Sequence, residues 1–139
     1  MAIFRQRAEP GPAPLGGEAD AAFAKNQSLE RRLGFATAGI RMVAKREKSF
    51  RTQIVLALAA VIAAAVAQPE PIWWALLALA TGLVLALECV NAAVEYALDR
   101  LHPDLHPEIG NAKDAAAGAV LIASLAAAAV GGLMLYSRL

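Results

Sequence analysis

Three almost wholly apolar stretches, at residues 54–67, 72–87 and 115–136, constrain this chain more than any other feature. The third is long enough to cross the roughly 30 Å hydrocarbon core of a bilayer as a helix. The composition agrees, because 58% of the residues are apolar and the charged residues cluster in a few places. The sequence therefore predicts an all-α membrane protein.

The shortest stretch, residues 54–67, needs its flanks to cross a bilayer. As a helix it would span roughly 21 Å at about 1.5 Å per residue, less than the hydrocarbon thickness. It becomes a credible span if Thr52 and Gln53 are helical and Arg51 extends its charge to the interface. A proline-rich turn at 68–71 separates it from the second stretch. We predict transmembrane helices at 52–67, 72–98 and 114–136.

The chain ahead of these stretches combines a tail with a basic amphipathic segment. Residues 1–25 are rich in Pro, Gly and Ala without helical periodicity, so we predict a disordered tail before a membrane domain at 26–139. Within 28–48, apolar residues recur at helical spacing opposite arginines and lysines. This pattern predicts a surface helix in the membrane interface, where its cations meet anionic headgroups.

The distribution of basic residues predicts the orientation and narrows the function. Ten of the 13 lysines and arginines precede the first apolar stretch, and none lies in the turn at 68–71. Because cytoplasmic segments carry the excess of cations, the amino terminus and the 99–114 loop are expected on the cytoplasmic side of the membrane. The basic residues lack an aromatic stripe that could stack bases, so nucleic-acid binding is not expected.

Four polar residues follow one another along the second apolar helix: Glu88, Asn91, Glu95 and Asp99. Their spacings of 3, 4 and 4 place them on one face of a helix, descending from the cytoplasmic interface about one turn into the membrane. Carboxylates open to the cytoplasm suit Mg²⁺ carrying phosphate, since this ion takes only one or two carboxylates from a protein. The alternative is a polar ladder that holds helices together by hydrogen bonds.

The loop after this helix adds a second group of polar residues. Lys113 and Asp114 precede the third apolar stretch, where a lysine can neutralise phosphate oxygens. Asp114 could instead be a residue favoured at a helix start by the helix dipole. His102 and His106 lie four residues apart, but Pro103 and Pro107 argue against a regular helix through them and hence against a zinc site.

These residues together resemble a known family. The E-x-x-N-x-x-x-E-x-x-x-D pattern at 88–99, joined to Ala-Lys-Asp at 112–114, is similar to the prokaryotic integral-membrane diacylglycerol kinases, which include the undecaprenol kinases. The likeness extends through 39–41 and 47–51 and covers about residues 29–136. It implies a homotrimer in which neighbouring subunits share each active site, and an ATP- and Mg²⁺-dependent kinase that converts diacylglycerol to phosphatidic acid.

The resemblance also implies roles for individual residues. Glu88 would be the catalytic base that accepts the proton of the lipid hydroxyl, and Glu47 and Glu95 would hold the metal on ATP. Asn91, Arg51 and Asp99 would line the reaction centre or contact substrate. The residues expected to contact ATP are Phe35, Glu47, Glu95, Asp104, His106, Lys113 and Asp114.

Three alternatives stay open at this point. Undecaprenol could replace diacylglycerol as the acceptor, since the His106-Pro107 pair and the following Ala-rich segment look closer to that branch. A small proton- or ion-coupled transport protein could use Glu88 as its titrating group. The chain could also be a purely structural helical oligomer, in which replacing Glu88 by Gln would alter no activity.

Overall fold

The computed structural model of the chain describes residues 28–102 and 106–139. That part of the chain contains four α-helices: α1 (Leu29–Arg46), α2 (Lys48–Ala67), α3 (Pro71–Leu101) and α4 (Pro107–Tyr136). By length and composition, α2, α3 and α4 can each cross a membrane. The all-α fold with three helices apolar enough to span a membrane is thereby confirmed, whereas the tail predicted at 1–25 lies outside the described residues.

The chain divides into two units, Met1–Thr37 and Ala38–Leu139. The described residues of the first unit form the amino-terminal part of α1, where Leu29 and Leu33 are exposed. Exposed apolar side chains suit a helix at a membrane interface, and the surface helix at 28–48 stays a prediction. The packed helices and the candidate site described below belong to the second unit.

The break between α1 and α2 falls at one residue, Glu47. Its backbone is extended, with φ −91° and ψ 120°, and α2 starts immediately after it at Lys48. We expected the first spanning helix to begin at Thr52. The earlier start is physically reasonable because the long charged side chains of Lys48 and Arg51 can reach the interface from a helical backbone. Hydropathy alone does not predict a first helical turn that contains charged residues.

The longer helices also extend beyond their apolar stretches. α3 begins with Pro71 and continues to Leu101 instead of residue 98. α4 begins at Pro107, two turns before the expected start at 114, because proline suits the first position of a helix and His106 caps it. The Nδ1 of His106 accepts a hydrogen bond of 3.3 Å from the Glu108 amide. Asp114 is therefore well inside α4 and is not a helix-start residue.

Two small apolar clusters hold the helices together. Val43 from α1, Phe50 from α2 and Ala92 from α3 form one cluster at the end of the bundle that carries Glu47. The other joins Ala64, Leu77 and Met134 from α2, α3 and α4. The small side chains of Ala64 and Ala92 let the larger apolar residues of neighbouring helices pack closely, and van der Waals contact of this kind holds helices together in lipid.

A pair of substitutions tests this packing. Ala64 has no exposed surface in the second cluster, whereas the next residue, Ala65, is exposed. We expect Ala64→Leu to lower the free energy of unfolding by about 1–3 kcal/mol through overpacking, and Ala65→Leu to have little effect. The measurement is unfolding by SDS in mixed micelles, followed by circular dichroism. Equal stability of the two variants would contradict the packing of Ala64.

Candidate active site

The polar stripe of α3 contains an internal hydrogen bond. The Nδ2 of Asn91 donates to the Oε1 of Glu95 at 2.9 Å, so these two side chains share a face of the helix. The other amide atom, Asn91 Oδ1, is buried and has no hydrogen-bond partner among the described residues. A buried acceptor without a donor is costly, and it is often explained by an ion or ligand that the site binds.

Glu88 is the most deeply placed charged residue of the stripe. The residue is 3% exposed, and it is the one charged residue of the described chain that is buried. The Oγ of Ser49, on the first turn of α2, donates a hydrogen bond of 2.9 Å to Glu88 Oε2. We did not single out Ser49 from the sequence. Its position two residues after Glu47 was the available signal, but a serine there is equally typical of an ordinary helix start.

Glu47 occupies the residue between α1 and α2 and is half-buried. The hydroxyl of Tyr96, on α3, donates a hydrogen bond to Glu47 Oε1. Glu95 directly precedes Tyr96 on α3, so the hydrogen bond links Glu47 to the turn of α3 that carries the second carboxylate predicted to hold a metal. The guanidinium carbon of Arg46 lies 5.8 Å from the centre of the Tyr96 ring, which adds a cation–π contact. Tyr96 was likewise missed by sequence reasoning.

These donors fit a metal carried by a nucleotide better than a metal held by the protein alone. Within residues 28–102 and 106–139, no group of three or more His, Cys, Asp or Glu side chains could hold an ion. Mg²⁺ bound with phosphate needs only one or two protein carboxylates. Glu47, Glu95 and the unpartnered Oδ1 of Asn91 supply oxygen ligands of that kind.

Lys113 and Asp99 link α3 to α4 at the same end of the bundle. The ammonium of Lys113 donates to Asp99 Oδ1 in a salt bridge, with 32% and 63% of the two side chains exposed. An ion pair this exposed stabilises a protein by about 0–1 kcal/mol, so the pair is not needed for the fold. Asp114 is exposed one residue further along α4.

Among the described residues, the remaining predicted site residues make no hydrogen bond with the carboxylates of the candidate site. Arg51 donates through Nη1 to the carbonyl oxygens of Ala44 and Lys45, at 3.2 and 3.0 Å, and thereby satisfies the last turn of α1. Its predicted contact with substrate stays a prediction. Phe35 is exposed in the first unit and His106 caps α4, while Asp104 lies outside the described residues.

Comparison with known proteins decides the family. A family model described as prokaryotic diacylglycerol kinase matches residues 34–135, which is most of the chain. The chain belongs to this family. It is therefore a kinase, and this membership favours an enzyme over a transport protein or a purely structural oligomer.

Individual relatives agree with the family match. The chain is 38% identical over 106 residues to a diacylglycerol kinase of Synechocystis, covering 76% of this chain and 61% of that protein. It is 34% identical over 105 residues to the diacylglycerol kinase of Escherichia coli, covering 76% of this chain and 86% of that protein. An undecaprenol kinase of Bacillus subtilis is 32% identical over 101 residues, covering 73% of this chain and 82% of that protein.

The exposure of the ion pair gives a prediction about its contribution to stability. Asp99→Asn removes the salt bridge to Lys113, and we expect the free energy of unfolding in detergent to change by about 1 kcal/mol or less. Lys113→Ala should behave alike, because it removes the same contact. A loss of several kcal/mol in either variant would mean that the pair is part of the folded core, contrary to its exposure.

Proposed function

We propose that this member of the diacylglycerol kinase family is an ATP- and Mg²⁺-dependent lipid kinase that phosphorylates diacylglycerol to phosphatidic acid. The observation that carries the proposal is the buried carboxylate of Glu88, hydrogen-bonded on one oxygen and lying on the same helix as Asn91 and Glu95. A buried carboxylate beside polar groups is a suitable general base for a hydroxyl presented from the membrane.

In the proposed reaction, Glu88 accepts the proton of the lipid hydroxyl. The hydroxyl oxygen then forms a bond to the γ-phosphorus of ATP while the bond from that phosphorus to the β,γ-bridging oxygen breaks, and ADP leaves. Ser49 occupies Oε2, whereas Oε1 accepts no hydrogen bond from the described residues and is available for the proton. Phosphoryl transfer depends on position and charge neutralisation more than on covalent chemistry, which suits so small a site.

The nucleotide would be held by the group of polar residues at the cytoplasmic end of the helices. Glu47, Glu95 and Asn91 would hold Mg²⁺, which when bound neutralises charge on the β- and γ-phosphates. Lys113 would add a positive charge beside the phosphates. The other proposed nucleotide or substrate contacts are those expected from the family resemblance: Phe35, Arg51, Asp99, Asp104, His106 and Asp114.

An apolar cavity supports a lipid acceptor over a water-soluble alcohol. It has a volume of about 290 Å³ and lies between α2, α3 and α4. Its walls include Gln53 and Ala57, which follow Ser49 by successive turns of α2, and Val84, one turn from Glu88 on α3. An acyl chain in this cavity would leave the lipid hydroxyl beside Glu88.

The proposed setting is a bacterial inner membrane, with the amino terminus and the active site facing the cytoplasm. We also propose a homotrimer in which neighbouring subunits share each site. The excess of basic residues before the first spanning helix supports the orientation. The trimer rests on the family resemblance.

A side-by-side assay tests the acceptor. Purified protein in mixed micelles with ATP and Mg²⁺ is expected to phosphorylate diacylglycerol faster than undecaprenol, as the names of the Synechocystis and Escherichia coli relatives favour. The Bacillus subtilis relative makes undecaprenol the second candidate. Faster turnover of undecaprenol would reverse the assignment, and the absence of Mg²⁺-dependent turnover on either lipid would refute the kinase.

Replacing the proposed base is the sharper test. Glu88→Gln keeps the size and the acceptor for Ser49 but cannot take a proton at the carboxylate, so we expect kcat to fall at least about 100-fold. Glu70→Gln in the exposed turn before α3 is the matched control and should retain full activity. Full activity of Glu88→Gln, in protein with unchanged circular dichroism, would exclude Glu88 as the base.

A further inference from the structure

Two residues that were not predicted as part of the site donate hydroxyl hydrogen bonds to two carboxylates that were. Ser49 on α2 donates to Glu88 on α3, and Tyr96 on α3 donates to Glu47 immediately before α2. The contacts are reciprocal, since each side of the helix pair contributes one hydroxyl and one carboxylate. The carboxylates are those proposed above for different tasks, proton acceptance by Glu88 and metal binding by Glu47.

The contact at Glu88 restricts how its carboxylate can be used. Ser49 is the hydrogen-bond partner of Glu88 among the described residues, and it engages Oε2 only. A glutamate side chain has three rotatable bonds, and a single donor from the neighbouring helix selects among its orientations. Ser49 therefore restrains the orientation of a carboxylate that is almost fully buried, and it leaves Oε1 without a hydrogen bond from the described residues.

The contact at Glu47 involves the single residue that separates α1 from α2. Glu47 occupies the position that caps the start of α2, yet its side chain makes no capping hydrogen bond with that helix. The side chains that ordinarily accept hydrogen bonds from the first amides of a helix are those of Asp, Asn, Ser and Thr, so the longer Glu47 side chain is available for a contact elsewhere. The Tyr96 hydroxyl instead draws the Glu47 carboxylate towards α3, where Glu95 adjoins Tyr96. The acidic side chain thus contacts the helix that carries the candidate site.

We propose that Ser49 and Tyr96 are positioning residues for the phosphoryl transfer, Ser49 for the base Glu88 and Tyr96 for the metal-binding carboxylate Glu47. The inference rests on the proposed function and adds to it a separate role for each hydroxyl group. Loss of the Ser49 hydroxyl impairs the chemical step with little change in nucleotide binding. Loss of the Tyr96 hydroxyl weakens binding of the metal-nucleotide complex.

Threonine and valine at position 49 form a matched pair that differs in the hydroxyl and not in shape. We expect Ser49→Val to lower kcat roughly ten- to a hundredfold, the range for a hydrogen bond to a charged group, with KM for lipid and for ATP within about twofold. Ser49→Thr should recover most of the rate. Equal kcat in the two variants would overturn the assignment of Ser49, because a merely structural contact would not separate them.

Tyr96→Phe removes the other hydroxyl and is tested by binding, without turnover. Calorimetric titration with a non-hydrolysable ATP analogue is expected to show affinity reduced tenfold or more with Mg²⁺, and unchanged with EDTA, as is usual when a partner of a metal ligand is lost. Tyr136→Phe, at an exposed tyrosine near the end of α4, is the control and should bind as the unaltered protein does. Unchanged affinity of Tyr96→Phe with Mg²⁺ would overturn its assignment.

These results are distinguishable from failure of the proposed function itself. If the unaltered protein phosphorylates neither lipid, the proposed function fails whatever the variants do. If the unaltered protein is active and Ser49→Val keeps its kcat while Tyr96→Phe keeps its Mg²⁺-dependent affinity, only the positioning inference fails. A drop in kcat confined to Ser49→Val together with weaker binding confined to Tyr96→Phe supports both assignments.

Discussion

A carboxylate buried in a membrane-spanning helix is the constraint on which the rest of the structure depends. Charged groups near the bilayer centre cost roughly 2.5–3.5 kcal/mol on the lenient insertion scale, and even near the interface they require partners. Glu88 is 3% exposed and obtains its hydrogen bond from the neighbouring helix. That requirement brings the start of α2 against α3 at the level of Glu88, so packing and chemistry share the same contacts.

The break at Glu47 makes this arrangement possible. An uninterrupted helix through α1 and α2 would use Glu47 as an ordinary helical residue, whereas the extended residue frees its side chain to meet Tyr96. Two features stabilise the break. Arg51 satisfies carbonyl oxygens at the end of α1, and Val43, Phe50 and Ala92 pack together across the three helices beside it. The apolar cluster and the polar contacts thus stabilise one geometry.

Helix type was more predictable from sequence than helix extent. The apolar stretches indicated three spanning helices because lipid leaves few other ways to satisfy a backbone. The ends were less accurate, since α2 starts at Lys48 and α4 at Pro107, both before the apolar residues begin. Interfacial turns depend on caps, on proline at the first position and on side chains that reach water, and these local effects are weak in a hydropathy pattern. Asp114 was accordingly misjudged as a possible helix start.

The sequence by itself determined that the chain crosses a membrane and that Glu88, Asn91, Glu95 and Asp99 follow one face of a helix, because helical spacing and apolar length are properties of consecutive residues. The hydrogen bond from Asn91 to Glu95 follows from the same helical spacing, because the two residues lie four positions apart. Only the tertiary structure decided which groups meet Glu47 and Glu88. Tyr96 and Ser49 lie 49 and 39 residues away along the chain from these carboxylates, and no local pattern encodes how two helices dock. Packing of apolar residues such as Phe50 against Ala92 sets that docking, and with it the partners of the reactive groups.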